Sequence, residues 1–132
     1  MRHAFVFHKL QVWHLAKELA KEIYSITKRF PLDEKFGLVL QLNRAAVSVA
    51  SNLAEGSGRT SRKDQAHFTQ LAYGSLMEVA CQLEIAADLH FISEDEFQKI
   101  CASIKTISEK LSALRNSQLS SLNPQPSSKV LS

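Results

Sequence analysis

The sequence predicts an all-α protein, folded as an antiparallel up-down-up-down four-helix bundle. Four segments of roughly 20 to 30 residues repeat their apolar residues every three or four positions, the period of one helical face. Short links join these segments, and short links favour antiparallel neighbours. The 132 residues include only 4 Gly and 3 Pro, and this length suits one hydrophobic core. We predict the bundle over residues 1–116 and a disordered polar tail over residues 117–132.

The first helix is expected from about Lys9 to Phe30. Phe30 precedes Pro31, and a residue before proline is pushed out of helical geometry. Lysine and glutamate side chains occupy the side opposite the apolar face. The apolar face consists of Val12, Trp13, Ala16, Leu19, Ala20, Ile23, Ile26, Thr27 and Phe30.

The second helix is expected to start after Asp33, which is predicted as its N-cap, with Glu34 adding negative charge at the positive helix end. It should end at Gly56, since glycine is the usual left-handed helix terminator. Residues 56–60 then form a loop. The apolar stripe consists of Leu38, Leu42, Ala45, Val49 and Leu53.

The third helix is expected to run from an N-cap at Ser61 to about Phe91, with Asp64 in its first turn. Gly74 lies in its middle and costs about 1 kcal/mol against alanine. That cost indicates close approach of a neighbouring helix. The apolar positions are Phe68, Ala72, Leu76, Val79, Leu83, Ala86 and Ala87.

The fourth helix is expected to start at the N-cap Ser93, followed by an acidic first turn. Its apolar residues follow the alternating three- and four-residue steps of a heptad. They are Phe97, Ile100, Ile104, Ile107, Leu111 and Leu114. From residue 117 onward Ser, Asn, Pro and Gln predominate, a composition that favours disorder.

Residues 1–17 contain no apolar run long enough for a signal peptide or a membrane span, so a cytoplasmic protein with no membrane contact is expected. Its two cysteines, Cys81 and Cys101, fall on apolar helix faces. Both are predicted to be buried thiols, because a disulfide is improbable in a reducing compartment.

The charge is distributed unevenly along the chain. Residues 1–63 carry 11 Lys and Arg against 5 Asp and Glu, a net +6, whereas residues 64–132 carry 5 against 8, a net −3. A basic half indicates an anionic partner such as nucleic acid, or else an ordinary solvated surface. The candidate nucleic-acid-binding residues are Arg59, Arg62, Lys63, Lys17, Lys21 and Lys28.

The patterns of several enzyme and metal sites are missing from the sequence. No Glu-x-x-His or His-Glu-x-x-His is present, and Asp64 with His67 is an isolated pair. The stretch Gly56-Ser57-Gly58-Arg59 lacks the Gly-Lys-Ser/Thr of a phosphate loop. We therefore expect no catalytic residue, no metal and no cofactor.

A polar ribbon, formed by Arg44, Ser48, Asn52 and Glu55, follows one face of the second helix. Two interpretations of this ribbon remain open. In the first, the ribbon forms a network between helices or subunits with Glu78 as the partner of Arg44, because a buried charge needs a counter-charge. In the second, it joins Arg59, Arg62 and Lys63 in a ligand or nucleic-acid surface.

Several stretches together resemble the bacterial four-helix bundle proteins associated with 23S rRNA intervening sequences. They are residues 7–13, 30–31 with Glu34, 36–38, 41–48, 52–56, and 71–76 with Glu78. The resemblance spans about residues 5–115. It implies a four-helix bundle that assembles as a homopentamer. Bundles related to this family act as accessory proteins of diversity-generating retroelements, where they bind nucleic acid and a reverse transcriptase.

Three functions follow from these observations. The first is a non-enzymatic, oligomeric protein that binds RNA or DNA. The second is a protein-interaction scaffold that docks a reverse transcriptase or a ribosome-associated partner. The third, a small-molecule or catalytic role, would use the polar ribbon between Arg44 and Glu55.

Overall fold

A computed structural model describes residues 4–120, and within that range the chain is all-α, as predicted. The four helices are α1 (Gln11–Thr27), α2 (Leu38–Ser57), α3 (Arg62–Asp88) and α4 (Glu94–Ser120). Two short 3₁₀ turns, Val6–Lys9 and Leu32–Glu34, precede α1 and α2.

The helices pack as a four-helix bundle around one core. Each helix contacts the next along the chain, and α4 also contacts α1. Between α2 and α3, Gln41 accepts a hydrogen bond from Gln82 and Ser48 bonds to Ser75. Residue numbers therefore rise along α2 as they fall along α3, as expected of antiparallel neighbours. Side chains with almost no exposure fill the core, among them Leu19, Ile23, Leu42, Leu76, Leu83, Ile100, Ile107 and Leu111.

The start of α2 differs from the prediction. Asp33 lies in the 3₁₀ turn and is not the cap. The backbone N–H of Leu38 instead donates to Glu34 Oε1 at 3.1 Å, and Gly37 occupies the cap position. Helix α1 ends at Thr27, three residues before Phe30. Phe30 still joins the core, where its ring lies 5.3 Å from that of Phe91.

The prediction that Gly56 terminates α2 in a left-handed conformation is wrong. The helix continues through Gly56 to Ser57, and no glycine in residues 4–120 has a positive φ. Gly58 caps the helix with a φ of −86°. Gly56 is buried, and a Cβ atom on it would lie 2.7 Å from Cβ of Phe68. Glycine is therefore required at position 56 because α2 and α3 pack closely there.

The serine caps predicted for the last two helices are confirmed. Ser61 Oγ accepts a bond from the backbone N–H of Asp64 at 3.0 Å. Ser93 Oγ accepts from the N–H of Glu96, whose carboxylate accepts the N–H of Ser93 in return. Arg29, beyond the end of α1, also pairs with Glu96. That guanidinium and the Ser93 N–H lower the pKa of Glu96.

Helix α3 is followed by His90, whose backbone has the left-handed conformation with a φ of 64°. Helix α3 ends at Asp88, before the predicted Phe91. The N–H of His90 donates to the carbonyl of Ala87, and that of Phe91 donates to the carbonyl of Ala86. This pair of bonds is a Schellman motif, which satisfies carbonyls that the helix end leaves unpaired.

The sequence predicted buried thiols at Cys81 on α3 and at Cys101 on α4, and close approach of a helix at Gly74 on α3. Cys81 is exposed, so the prediction that it is buried is wrong. Cys101 is half-buried, and burial raises the pKa of its thiol. A Cβ atom on Gly74 would meet nothing within 4 Å, so no helix within residues 4–120 approaches that glycine closely.

Helix α4 extends four residues into the segment predicted as tail. It continues to Ser120 because Gln118 is buried against α3, where its Oε1 accepts a bond from Thr69 Oγ1 at 2.8 Å. Composition alone could not reveal this side-chain pair. The remainder of the predicted tail, residues 121–132, lies outside the described residues.

Candidate nucleic-acid interface

A groove of about 560 Å³ lies between α1 and α2, and we call it the α1–α2 groove. Three lysines, Lys17, Lys21 and Lys28, line its α1 side. None of its lining residues is acidic. Besides the lysines and two serines, it is lined by the aromatic residues Phe7, Trp13 and Tyr24 and by the aliphatic residues Ala20, Val47, Ala50 and Ala54.

The groove follows from local sequence. Trp13, Lys17, Tyr24 and Lys28 recur at spacings of 4, 7 and 4, which place side chains on one helical face. Small residues separate them from α2, chiefly Ala20 on α1 and the alanines of α2. Short side chains where two helices meet leave open volume, and the long side chains around them form its walls.

The lysines of the groove remain largely available for a ligand. Lys17 Nζ lies 5.2 Å from the ring centroid of Trp13, a cation–π contact. Lys21 Nζ lies 3.2 Å from a carboxylate oxygen of Glu18, with both side chains more than half exposed. Exposed pairs of this kind contribute roughly 0–1 kcal/mol, so a stronger anion can displace Glu18.

An aromatic cluster closes one end of the groove. The rings of Phe7 and Trp13 lie 4.5 Å apart, and the Trp13 ring also contacts His8 and His14 edge-on. His14 Nε2 lies 2.8 Å from the carbonyl oxygen of His8. These contacts fix the orientation of Trp13. Tyr24, farther along α1, is 46% exposed.

The second basic cluster, Arg59, Arg62 and Lys63, lies at the α2–α3 link and outside the groove. Arg59 pairs with Glu55 at 2.9 Å, and its guanidinium lies 4.7 Å from the ring centroid of Phe68. Arg62 donates to Gln65 Oε1 at 2.9 Å. Two of the three side chains therefore already have partners within the chain.

The polar ribbon is divided between two environments. Ser48 Oγ lies 2.8 Å from Ser75 Oγ of α3, and Asn52 Nδ2 donates to Ser48 Oγ at 3.0 Å. The Ser48–Ser75 contact joins α2 to α3, whereas the Asn52–Ser48 bond lies within α2. Glu55 instead pairs with Arg59.

Arg44 and Glu78 do not form the predicted ion pair, since the ion pairs within residues 4–120 do not include them. Both side chains are exposed and line a polar groove of about 370 Å³ between α2 and α3. The expected counter-charge is unnecessary because Arg44 remains in contact with solvent.

Sequence reasoning identified the three lysines but missed the aromatic residues beside them. Trp13 was assigned to the core, although it is only half-buried, and Tyr24 received no role. The available signal was their separation of 11 residues, which is close to three full helical turns.

Among the described residues, no group of three or more His, Cys, Asp and Glu side chains is arranged to hold a metal ion. Within the same residues, no helix has the length and apolar character needed to cross a membrane.

Comparison with protein families gives a decisive match. The model of the 23S rRNA-intervening sequence protein family matches residues 8–113. The chain belongs to this family. The match covers all of α1, α2 and α3 and most of α4, so every residue that lines the α1–α2 groove except Phe7 lies within the matched range.

A solved structure of the S23 ribosomal protein family supports the fold of this family member. It is a protein of unknown function from Bacteroides thetaiotaomicron, which matches with a TM-score of 0.74 and 22% sequence identity. The alignment covers 79% of this chain and 97% of that one. A search of curated proteins finds no match.

Proposed function

We propose that the protein is a non-enzymatic nucleic-acid-binding accessory protein, which holds its ligand in the α1–α2 groove. The observation that carries this proposal is the row of Lys17, Lys21 and Lys28 along a groove that no acidic residue lines. Lysine contacts to phosphates supply most of the sequence-independent affinity for nucleic acids. Cytoplasmic RNA is the first ligand to test, because the family is named for intervening sequences of 23S rRNA.

The groove is a better candidate than the Arg59, Arg62 and Lys63 cluster. Besides its exposed pair with Glu55, Arg59 is held against the ring of Phe68, and Arg62 donates to Gln65, so both guanidinium groups would have to leave contacts within the chain to bind a phosphate. In the groove, the nearby carboxylate is Glu18, which belongs to an exposed and weak pair with Lys21.

RNA should bind to the protein with an affinity that falls steeply as salt rises. Contacts with three phosphates of a single strand predict that log K falls by about 2 for each tenfold increase in salt. Fluorescence anisotropy of a labelled RNA between low and physiological salt measures this slope. Absence of binding even at low salt would contradict the proposed function.

We further propose that the protein is a homo-oligomer, with the pentamer implied by the resemblance as the expected form. The support is an apolar stripe on the outer face of α3, formed by Leu71, Met77 and Ile85 and extended by Leu89 at its end. Gly74 lies in this stripe with open space above it. A second copy can approach closely there, which gives the mid-helix glycine a role.

Light scattering should report about five times the chain mass of 14.8 kDa. Ile85→Glu is expected to dissociate the assembly, because a carboxylate would be buried at the contact. Since Ile85 is exposed in the single chain, the variant should retain its helical content by circular dichroism. A wild-type protein that remains monomeric at micromolar concentration would refute oligomerisation.

A second candidate function is a scaffold that docks a protein such as a reverse transcriptase or a ribosome-associated factor. The observation that favours it is the α1–α2 link, where Leu32 is 93% exposed and Phe36 is 82% exposed. Large apolar side chains four residues apart offer an anchor for a partner. This function would replace the first if RNA failed to bind while a partner bound through Leu32 and Phe36.

A further inference from the structure

We infer that the α1–α2 groove selects single-stranded nucleic acid, with bases stacked on Tyr24 and Trp13 and phosphates held by the lysines on α1. This inference rests on the proposed nucleic-acid-binding function and adds the class of ligand. It follows from the aromatic residues of the groove, which phosphate binding alone does not require.

The two aromatic rings are placed to hold the two ends of a short strand. Tyr24 and Trp13 are 11 residues apart on α1, a distance of about 16 Å along the helix axis and nearly the same angular position. Stacked bases rise about 3.4 Å each, so the interval accommodates roughly three to five nucleotides. Lys17 and Lys21 lie between the rings in sequence, and Lys28 follows Tyr24.

The exposed ring of Tyr24 favours single strands over duplexes. A duplex buries its base faces in its own stack, whereas single-stranded bases are free to stack on aromatic side chains. Tyr24 is nearly half exposed, and the contacts of Trp13 with Phe7 and His14 hold its ring in place. A fixed ring loses less conformational freedom when a base stacks on it.

One side of the groove is charged and the other is aliphatic, an arrangement that suits a single strand. Lys17 and Lys21 lie on α1 and Lys28 directly follows it, whereas α2 contributes Val47, Ala50 and Ala54 with Ser51. A strand carries its charge on the sugar–phosphate backbone, whereas its bases present flat, largely apolar faces, and these two parts match the charged and aliphatic linings of the groove. Aliphatic side chains cannot form hydrogen bonds with base edges, so binding should tolerate most sequences.

The single tryptophan of the chain, Trp13, reports directly on this groove. Titration with oligouridylate of about twelve nucleotides should quench Trp13 fluorescence, and a blunt RNA duplex of equal length should quench it much less. Tyr24→Ser should weaken single-strand affinity roughly 5- to 160-fold, the range that corresponds to about 1–3 kcal/mol for one stacking aromatic. Duplex affinity should change less than twofold.

Two variants distinguish stacking from a loss of structure. Tyr24→Phe retains the ring and should retain single-strand affinity. Phe36→Ser removes an exposed aromatic residue that does not line the groove, and it should leave affinity unchanged. A melting temperature for Tyr24→Ser close to that of the wild type confirms that the fold is intact.

Three experimental outcomes separate a failure of the single-strand inference from a failure of the proposed nucleic-acid binding. Equal affinity for duplex and single strand, with no effect of Tyr24→Ser, would refute the inference and leave nucleic-acid binding standing. No binding of any RNA or DNA would refute both. Quenching of Trp13 by polyglutamate but not by oligouridylate would assign the groove to an acidic protein partner and also refute both.

Discussion

Replacing Lys17, Lys21 and Lys28 together by glutamine should reduce RNA affinity by at least tenfold at 50 mM salt. Three phosphate contacts to a single strand account for about 2 units of the log–log salt slope, or roughly a twentyfold loss between 50 and 200 mM. The variant should therefore bind weakly and with a flatter salt dependence. Anisotropy titrations at four salt concentrations measure both quantities.

The matched control removes the same charge elsewhere. Replacing Arg59, Arg62 and Lys63 by glutamine also lowers the net charge by three, but Arg59 and Arg62 already have partners within the chain. Its effect on affinity and slope should be much smaller than that of the groove variant. A greater loss in this control would move the binding surface to the α2–α3 link and contradict the proposal for the groove.

Gly56→Ala should destabilise the protein by about 1–3 kcal/mol, the usual cost of adding a methyl group to a filled contact. The added Cβ would lie 2.7 Å from Cβ of Phe68 and 3.5 Å from the carbonyl oxygen of Gln65. Because Cβ is bound directly to the backbone, Phe68 cannot avoid the clash by changing rotamer, and α2 and α3 must separate. Urea unfolding followed by circular dichroism measures the change in free energy.

Gly58→Ala is the control for that substitution, only two residues away. Gly58 has a negative φ, and its nearest neighbour to an added Cβ is the Glu55 carbonyl oxygen at 3.6 Å. Alanine fits this conformation and reduces the entropy of the unfolded chain, so stability should stay equal or rise by about 0.4–1 kcal/mol. If Gly56→Ala proved as harmless as Gly58→Ala, the close packing of α2 on α3 at Phe68 would be wrong.

Features that depend on neighbours along the chain were predicted well. Apolar spacing placed four helices, because a helix must bury one continuous face whatever its partner is. Ser61 and Ser93 were recognised as caps, since a capping side chain bonds to the backbone three residues ahead. Asp33 was wrongly predicted as a cap because the 3₁₀ turn displaces the helix start, and the Glu34 carboxylate reaches the N–H of Leu38.

The all-α class, the four helices and the basic character of α1 follow from local sequence patterns. Which side chains meet depends instead on how the helices pack against one another. Packing of α2 beside α1 made a groove from alanines and placed Lys17, Lys21 and Lys28 beside Trp13 and Tyr24. The two kinds of feature depend on interactions of different sequence separation. Helical period and capping act within four residues, whereas a groove depends on side-chain sizes on two helices and on their relative rotation.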